Sequence, residues 1–178
     1  MNIIIREIDQ YNVEDFGRYD SSFMVNSKLI LNAENGTISY TIVDVPPYTK
    51  QYGAEKFDSK FYMDHLDKAI FFAYLDEELA GEIRLRKNWN EYAYIDSIAV
   101  DSKYRNQGVG RALIKQAIEW AKKKDFPGLM LETQDNNVTA CLFYASCGFE
   151  LRGFDTRLYK GSNPNTDEIA LFWYLIFT

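Results

Sequence analysis

Histidine, cysteine and proline are scarce in this sequence, with one, two and four copies in 178 residues. A single histidine, His65, excludes a multi-histidine metal centre, and it lies outside any His-Glu-x-x-His pattern. A Ser-His-Asp hydrolase would have to use that same residue, and no Gly-x-Ser-x-Gly elbow accompanies it. His65 therefore reads as a surface or half-buried side chain without chemistry. Cys141 and Cys147 make neither a zinc framework nor a disulfide scaffold, and such cysteine usage points to the cytoplasm. No run reaches the ~18 uncharged apolar residues of a membrane span. The start, Met1 to Arg6, lacks the basic lead and long apolar stretch of a signal peptide and reads as an ordinary first strand.

An excess of positive charge is also missing. The net charge of −6 argues against nucleic acid as the main partner, because phosphate binding needs a basic face. The charge is uneven: through Ala80 there are 14 acidic and 7 basic residues, and beyond it 12 and 13. An acidic half beside a near-neutral half suits a cationic acceptor on one side and an anionic cofactor on the other. An acidic surface that simply keeps the protein in solution is the plainer reading. Hydrophobic residues at 47% can bury a real core, and the absence of repeats or low-complexity linkers predicts one domain over 1–178.

Along the chain, residues 3–8 read as a strand, and Tyr11 to Phe16 as a short helix opened by Asn12. Residues 28–33 and 37–44 flank Asn35-Gly36, a strong hairpin signal. Pro46-Pro47-Tyr48 is expected to stop the second strand, with a polar loop to about Asp58 and a short helix from Ser59 to Leu66. A meander follows, with strands at Ile70–Leu75, Leu79–Arg86 and Tyr92–Val100. Apolar residues Val109, Leu113, Ile114, Ala117, Trp120 and Ala121 recur at helical spacing, predicting a helix from Gly108 to Lys124. Leu129–Thr133 reads as a strand, Asn137–Ser146 as a helix, and Gly148–Phe154 and Glu168–Phe177 as strands. Strand, helix, strand between Tyr92 and Thr133 implies a parallel pair with a right-handed crossover. The fold class is a mixed, mostly antiparallel α/β sheet.

Two stretches carry chemistry. In the first, Tyr94 to Val100 leads into Arg105-Asn106-Gln107-Gly108-Val109-Gly110-Arg111-Ala112. Backbone N–H groups at a helix start, with the dipole behind them, form an anion site. Glycines at 108 and 110 let the main chain approach a phosphate, and Arg105 and Arg111 add positive charge. The stretch lacks both Gly-Lys-Ser/Thr and Gly-x-Gly-x-x-Gly, which disfavours a Walker loop and a dinucleotide fold. Alone, it is equally an ordinary glycine-bearing helix start. The second stretch runs from Asn137 to Phe149, with Asn137, Ala140, Cys141 and Tyr144 on one helix face and Gly148 as a left-handed cap.

Together these stretches resemble the GNAT superfamily of acetyltransferases. Arg105 to Gly110 matches Gln/Arg-x-x-Gly-x-Gly/Ala, and Asn137 to Phe149 matches Asn-x-x-Ala-x-x-Phe-Tyr-x-x-x-Gly-Phe. The N-terminal hairpin, Pro46-Pro47-Tyr48 and the closing strand are similar to the streptothricin (nourseothricin) acetyltransferases. The resemblance implies a GNAT-like sheet with a splayed parallel pair and flanking helices. Residues 1–68 would be the acceptor side, 69–155 the acetyl-CoA-binding core, and 156–178 a closing strand.

By the same resemblance, Ile98, Ala99 and Val100 would line the pantetheine arm. The stretch Arg105, Asn106, Gln107, Gly108, Val109, Gly110, Arg111 and Ala112 would hold the pyrophosphate, its amides from Gln107 to Ala112 making the grip. Asn137, Ala140 and Phe143 would also contact the cofactor, and an N–H near Ile98 would stabilise the oxyanion. Tyr144 would protonate the leaving thiolate. Asp96 and Glu82 are the candidate bases, each equally a structural acceptor. The glutamate base of the histone-modifying branch falls at Tyr94 here and does not transfer. No metal is implied, and a homodimer is left open. The acceptor is expected to be a cationic amine such as a streptothricin, with a protein or peptide amine, or a silent acyl-CoA sensor, as alternatives.

Overall fold

The computed structural model describes residues 2–52, 58, 61–63 and 65–178. In chain order the strands are β1 (Ile3–Glu7), β2 (Phe23–Glu34), β3 (Thr37–Lys50), β4 (Lys68–Leu75), β5 (Glu78–Lys87), β6 (Ala93–Val100), β7 (Gly128–Gln134), β8 (Glu150–Asp155) and β9 (Ala170–Ile176). The helices are α1 (Val109–Lys123) and α2 (Val138–Ser146). Two compact units interleave: residues 1–22 with 51–129, and residues 23–50 with 130–178. Neither coincides with the segments 1–68, 69–155 and 156–178, because the chain passes between units after Ser22, Lys50 and Leu129. Among the described residues, no helix is long and apolar enough to cross a membrane.

In the first unit, β1, β4, β5 and β6 form consecutive antiparallel neighbours. From Ala69 to Leu75 every residue of β4 is buried, the pattern of a strand covered on both faces. Ile70, Phe72 and Tyr74 pack with Ile8, Val13, Phe16, Tyr62 and Met63 on one side. The apolar stripe of α1 lies on the sheet, burying Val109, Leu113, Ile114, Ala117, Trp120 and Ala121 as the spacing predicts.

The expected helix at Tyr11–Phe16 is only a 3-10 turn, Val13–Asp15. Asn12 does not cap it; its side chain accepts from the Asp9 amide (2.8 Å) and donates to the Glu7 carbonyl (2.9 Å). A local side-chain bond of this kind competes with helix formation. The loop expected up to Asp58 and the helix expected from Ser59 to Leu66 fall in part outside the described residues.

In the second unit, β2 and β3 form a hairpin around Asn35 and Gly36, both at positive φ (51° and 76°), as a tight primed turn requires. It runs further than expected, because Pro46-Pro47 does not end β3. The register skips between Val25↔Tyr48 and Ser27↔Asp44, so the prolines lie at an irregularity where few ladder amides are needed. β7, β9 and β8 are neighbours in that order, with α2 packed on β2 and β8.

Candidate active site

The anion-binding candidate begins where β6 ends. Asp101 caps a 3-10 turn, Ser102–Tyr104, by accepting the Lys103 amide (3.0 Å). Arg105 is extended, Asn106 turns left-handed (φ 61°), and Gly108 does so again (φ 89°) as the residue that opens α1. Asparagine and glycine are the residues that tolerate that conformation. The Ala112 amide donates to the Gly108 carbonyl (3.0 Å). Among the described residues, the amides of Gln107, Gly108, Val109 and Gly110 have no acceptor in the chain. They gather at the positive end of a 15-residue helix, the arrangement that binds phosphate.

Arg105 is engaged with the main chain: Nη2 donates to the Ser22 carbonyl (2.7 Å) and Nε to that of Val100 (3.3 Å). Ile98, Ala99 and Val100 are half-buried and pair with Ile83, Glu82 and Gly81. Gly81, absent from the sequence-based candidates, determines this approach. A Cβ there would lie 2.4 Å from the Ala99 carbonyl oxygen.

The two candidate bases are both committed. Glu82 is 1% exposed, and its Oε2 accepts the Gly17 amide (3.1 Å) while Tyr19 bonds the same carboxylate. Burial pushes its pKa up, against the pull of those bonds and of Arg84. Asp96 has no register partner on β5, because the pairing jumps from Arg84↔Ser97 to Leu85↔Ile95. This bulge interrupts the alternation that was to place Asp96 on one face with Ile98 and Val100. Its Oδ1 pairs with Arg86 Nε at 2.9 Å and its Oδ2 accepts from the Tyr62 hydroxyl at 3.3 Å. Burial foremost, then the Asp96 charge, pushes Tyr62 up to about 12.

The second motif lies wholly in the second unit. Asn137 caps α2, its Oδ1 accepting the Ala140 amide (3.3 Å). Cys147, Gly148 and Phe149 donate amides back to the carbonyls of Phe143, Ala145 and Tyr144 (3.0–3.1 Å), with Gly148 at φ 91°. Tyr144 is 7% exposed, its ring fixed by Phe143 (5.6 Å), Phe149 (5.9 Å) and Trp173 (6.5 Å). Ala140 and Phe143 are half-buried on the same helix. Cys141 is fully buried, and burial pushes its thiol up to about 12, so it cannot serve as a nucleophile near neutral pH.

One candidate escaped the sequence reading. Glu132 is half-buried on β7, and the Tyr159 hydroxyl donates to its Oε1. Burial raises its pKa to about 7, with Lys50 pulling the other way. The visible signal was one carboxylate amid Leu129-Met130-Leu131-Glu132-Thr133. Nearby, Glu168 accepts from Lys50 Nζ at 2.5 Å and from Asn136 Nδ2 at 3.0 Å, and Asn136 also reaches the Tyr48 hydroxyl at 3.1 Å. Among the described residues, no three His, Cys, Asp or Glu side chains are placed to hold a metal.

Comparison with known proteins identifies the family. Residues 39–149 match the model of the acetyltransferase (GNAT) family. The chain is 44% identical over 175 residues to streptothricin acetyltransferase A of Bacillus subtilis, covering 98% of this chain and all of that one. A Bacillus anthracis structure described as a streptothricin acetyltransferase, in complex with acetyl coenzyme A, superposes with a TM-score of 0.93. It is 47% identical, over 99% of this chain and 100% of the other. A nourseothricin acetyltransferase superposes at 0.80, with 30% identity over 98% of each chain.

Proposed function

We propose that this chain, which belongs to the GNAT family of acetyltransferases, acetylates a primary amine of a streptothricin-type antibiotic and so inactivates it. It is an acyltransferase with acetyl-CoA as co-substrate, and its fold is the mixed α/β, mostly antiparallel fold of that family, with one parallel strand pair. The observation that carries the reading is the run of unmatched amides from Gln107 to Gly110 behind a left-handed Gly108. An anionic diphosphate is the ligand such a helix start takes, which fits coenzyme A. Likeness over the full length, hairpin and closing strand included, supports a streptothricin as the acceptor.

Acetyl-CoA supplies the activated acetyl group as a thioester. The amides of Gln107 to Gly110 would grip its diphosphate, and the end of β6, Ile98 to Val100, would line the arm. By the family resemblance, Asn137, Ala140 and Phe143 would contact the cofactor. The acceptor is an alkylammonium with a pKa of about 10 and must lose a proton before its nitrogen can attack. Glu132 is the best-suited base, because burial raises its pKa to about 7, whereas Asp96 is ion-paired with Arg86 and Glu82 is 1% exposed. The N–C bond would form and the C–S bond break, Tyr144 would give its proton to the leaving thiolate, and the second proton leaving the acetylated nitrogen would restore the tyrosine.

The test follows free thiol as purified protein is incubated with acetyl-CoA and streptothricin, aminoglycosides, polyamines or peptides. Thiol release is expected with streptothricin. Release with peptides alone would rule out the antibiotic as acceptor, and binding of acetyl-CoA without turnover would make the chain a sensor.

A further inference from the structure

Between the 3-10 turn and β2, residues Gly17 to Ser22 form neither helix nor strand, yet the segment is tied down along its length. At one end the Gly17 amide and the Tyr19 side chain bond the buried carboxylate of Glu82. In the middle, the Asp20 amide donates to Asp101 Oδ2 (3.0 Å), and the Asp20 carbonyl accepts the Ser102 amide (3.0 Å). Asp20 Oδ2 also accepts the Ser102 hydroxyl (3.0 Å), while Oδ1 accepts the Ser22 amide (2.9 Å). At the far end the Ser22 carbonyl takes Arg105 Nη2 (2.7 Å).

Three of the four attachment points, Asp101, Ser102 and Arg105, belong to the stretch that leads into the loop Arg105–Gly110. That loop holds two left-handed residues, Asn106 and Gly108, and needs outside support to stay in one conformation. A binding loop ordered in advance loses less freedom when its ligand arrives, and affinity rises accordingly.

We propose that Gly17–Ser22 is a clasp that pre-shapes the coenzyme loop, with Glu82 as its buried post and Asp20, Asp101, Ser102 and Arg105 as positioning residues for coenzyme binding. This rests on the reading that the amides at the start of α1 hold the coenzyme diphosphate. Glu82 then acts on acetyl-CoA affinity and takes no proton from the acceptor.

The test measures CoA affinity by calorimetry, and kcat and both KM values by thiol release, for the wild type and for Asp20→Ala, Ser102→Ala and Glu82→Gln. Loss of two hydrogen bonds in Asp20→Ala should raise the Kd for CoA about tenfold, and loss of one in Ser102→Ala about threefold. The KM for acetyl-CoA should follow, with kcat at saturation and the acceptor KM within about twofold of wild type. Ser102 is exposed, so its variant keeps the test open if Glu82→Gln fails to fold. Wild-type CoA affinity in both Asp20→Ala and Ser102→Ala would overturn the clasp and leave the loop's role intact. A lower kcat at unchanged CoA affinity in Glu82→Gln would return Glu82 to the chemistry and overturn its role as a post. If the wild type itself fails to bind CoA, the loop assignment falls first and the clasp with it.

Discussion

Gly81 shows what one absent atom can decide. Any side chain there would collide with the Ala99 carbonyl and push apart the strands that carry Ile98 to Val100. Gly81→Ala should therefore destabilise the fold by about 1–3 kcal/mol and raise the KM for acetyl-CoA, as urea unfolding and steady-state kinetics would reveal. As the proposed base, Glu132 would act through its proton. With its pKa raised to about 7 by burial, it would be ionised and able to accept the acceptor's proton only above that pH. The kcat/KM for the amine should fall as pH drops through about 7, and Glu132→Gln should remove that limb and lower the rate about 10²-fold or more. The stability consequence has the opposite sense. The unfolded chain releases this proton near the ordinary glutamate value of 4.5, whereas burial in the folded chain holds it until about 7. Stability of the wild type should thus decline relative to Glu132→Gln across that window, seen as a Tm difference that opens between the two pH values. Tyr144→Phe should lower turnover about 10²-fold without weakening CoA binding, measured by calorimetry beside the rate.

Among the elements, α1 was the most legible, because its apolar stripe repeats for four turns and its start is marked by Gly108 and Gly110. The hairpin turn was legible through Asn35-Gly36, and the ends of α2 through Asn137 and Gly148, all local signals of a few residues. The errors arose where a distant partner altered a local rule. Pro46-Pro47 remains in β3 because β3 itself bulges there, between its pairings with Val25 and Ser27 of β2, and Asp96 escapes the alternation of β6 because β5 skips it. Glu132 gains its raised pKa from burial in the folded chain, and its partner Tyr159 lies 27 residues away, which no local pattern can connect to it. The start of α1 also yields a direct substitution. Gly108→Ala leaves space, since the nearest atom is Ile3 Cδ1 at 3.6 Å, so its cost is backbone strain of about 1–2 kcal/mol. It should raise the KM for acetyl-CoA while kcat at saturation stays near wild type, checked by kinetics together with the Tm.

At the scale of the whole molecule, the residues given roles in the proposal belong to two units of the chain. The first carries the amide loop and the end of β6; the second carries Asn137, Tyr144 and Glu132. Identity of 44–47% over essentially the full length places both units, and not the coenzyme core alone, in likeness to streptothricin acetyltransferases. The buried Cys141 fits direct transfer from thioester to amine, with no acyl-cysteine step.

The most direct measurement is an amide NMR titration of the isotope-labelled protein with CoA, read residue by residue. The backbone amides from Gln107 to Arg111 should show the largest shifts, saturating with the same Kd as calorimetry gives. Saturable CoA binding that leaves those amides unmoved would contradict the site, and with it the enzyme built upon it.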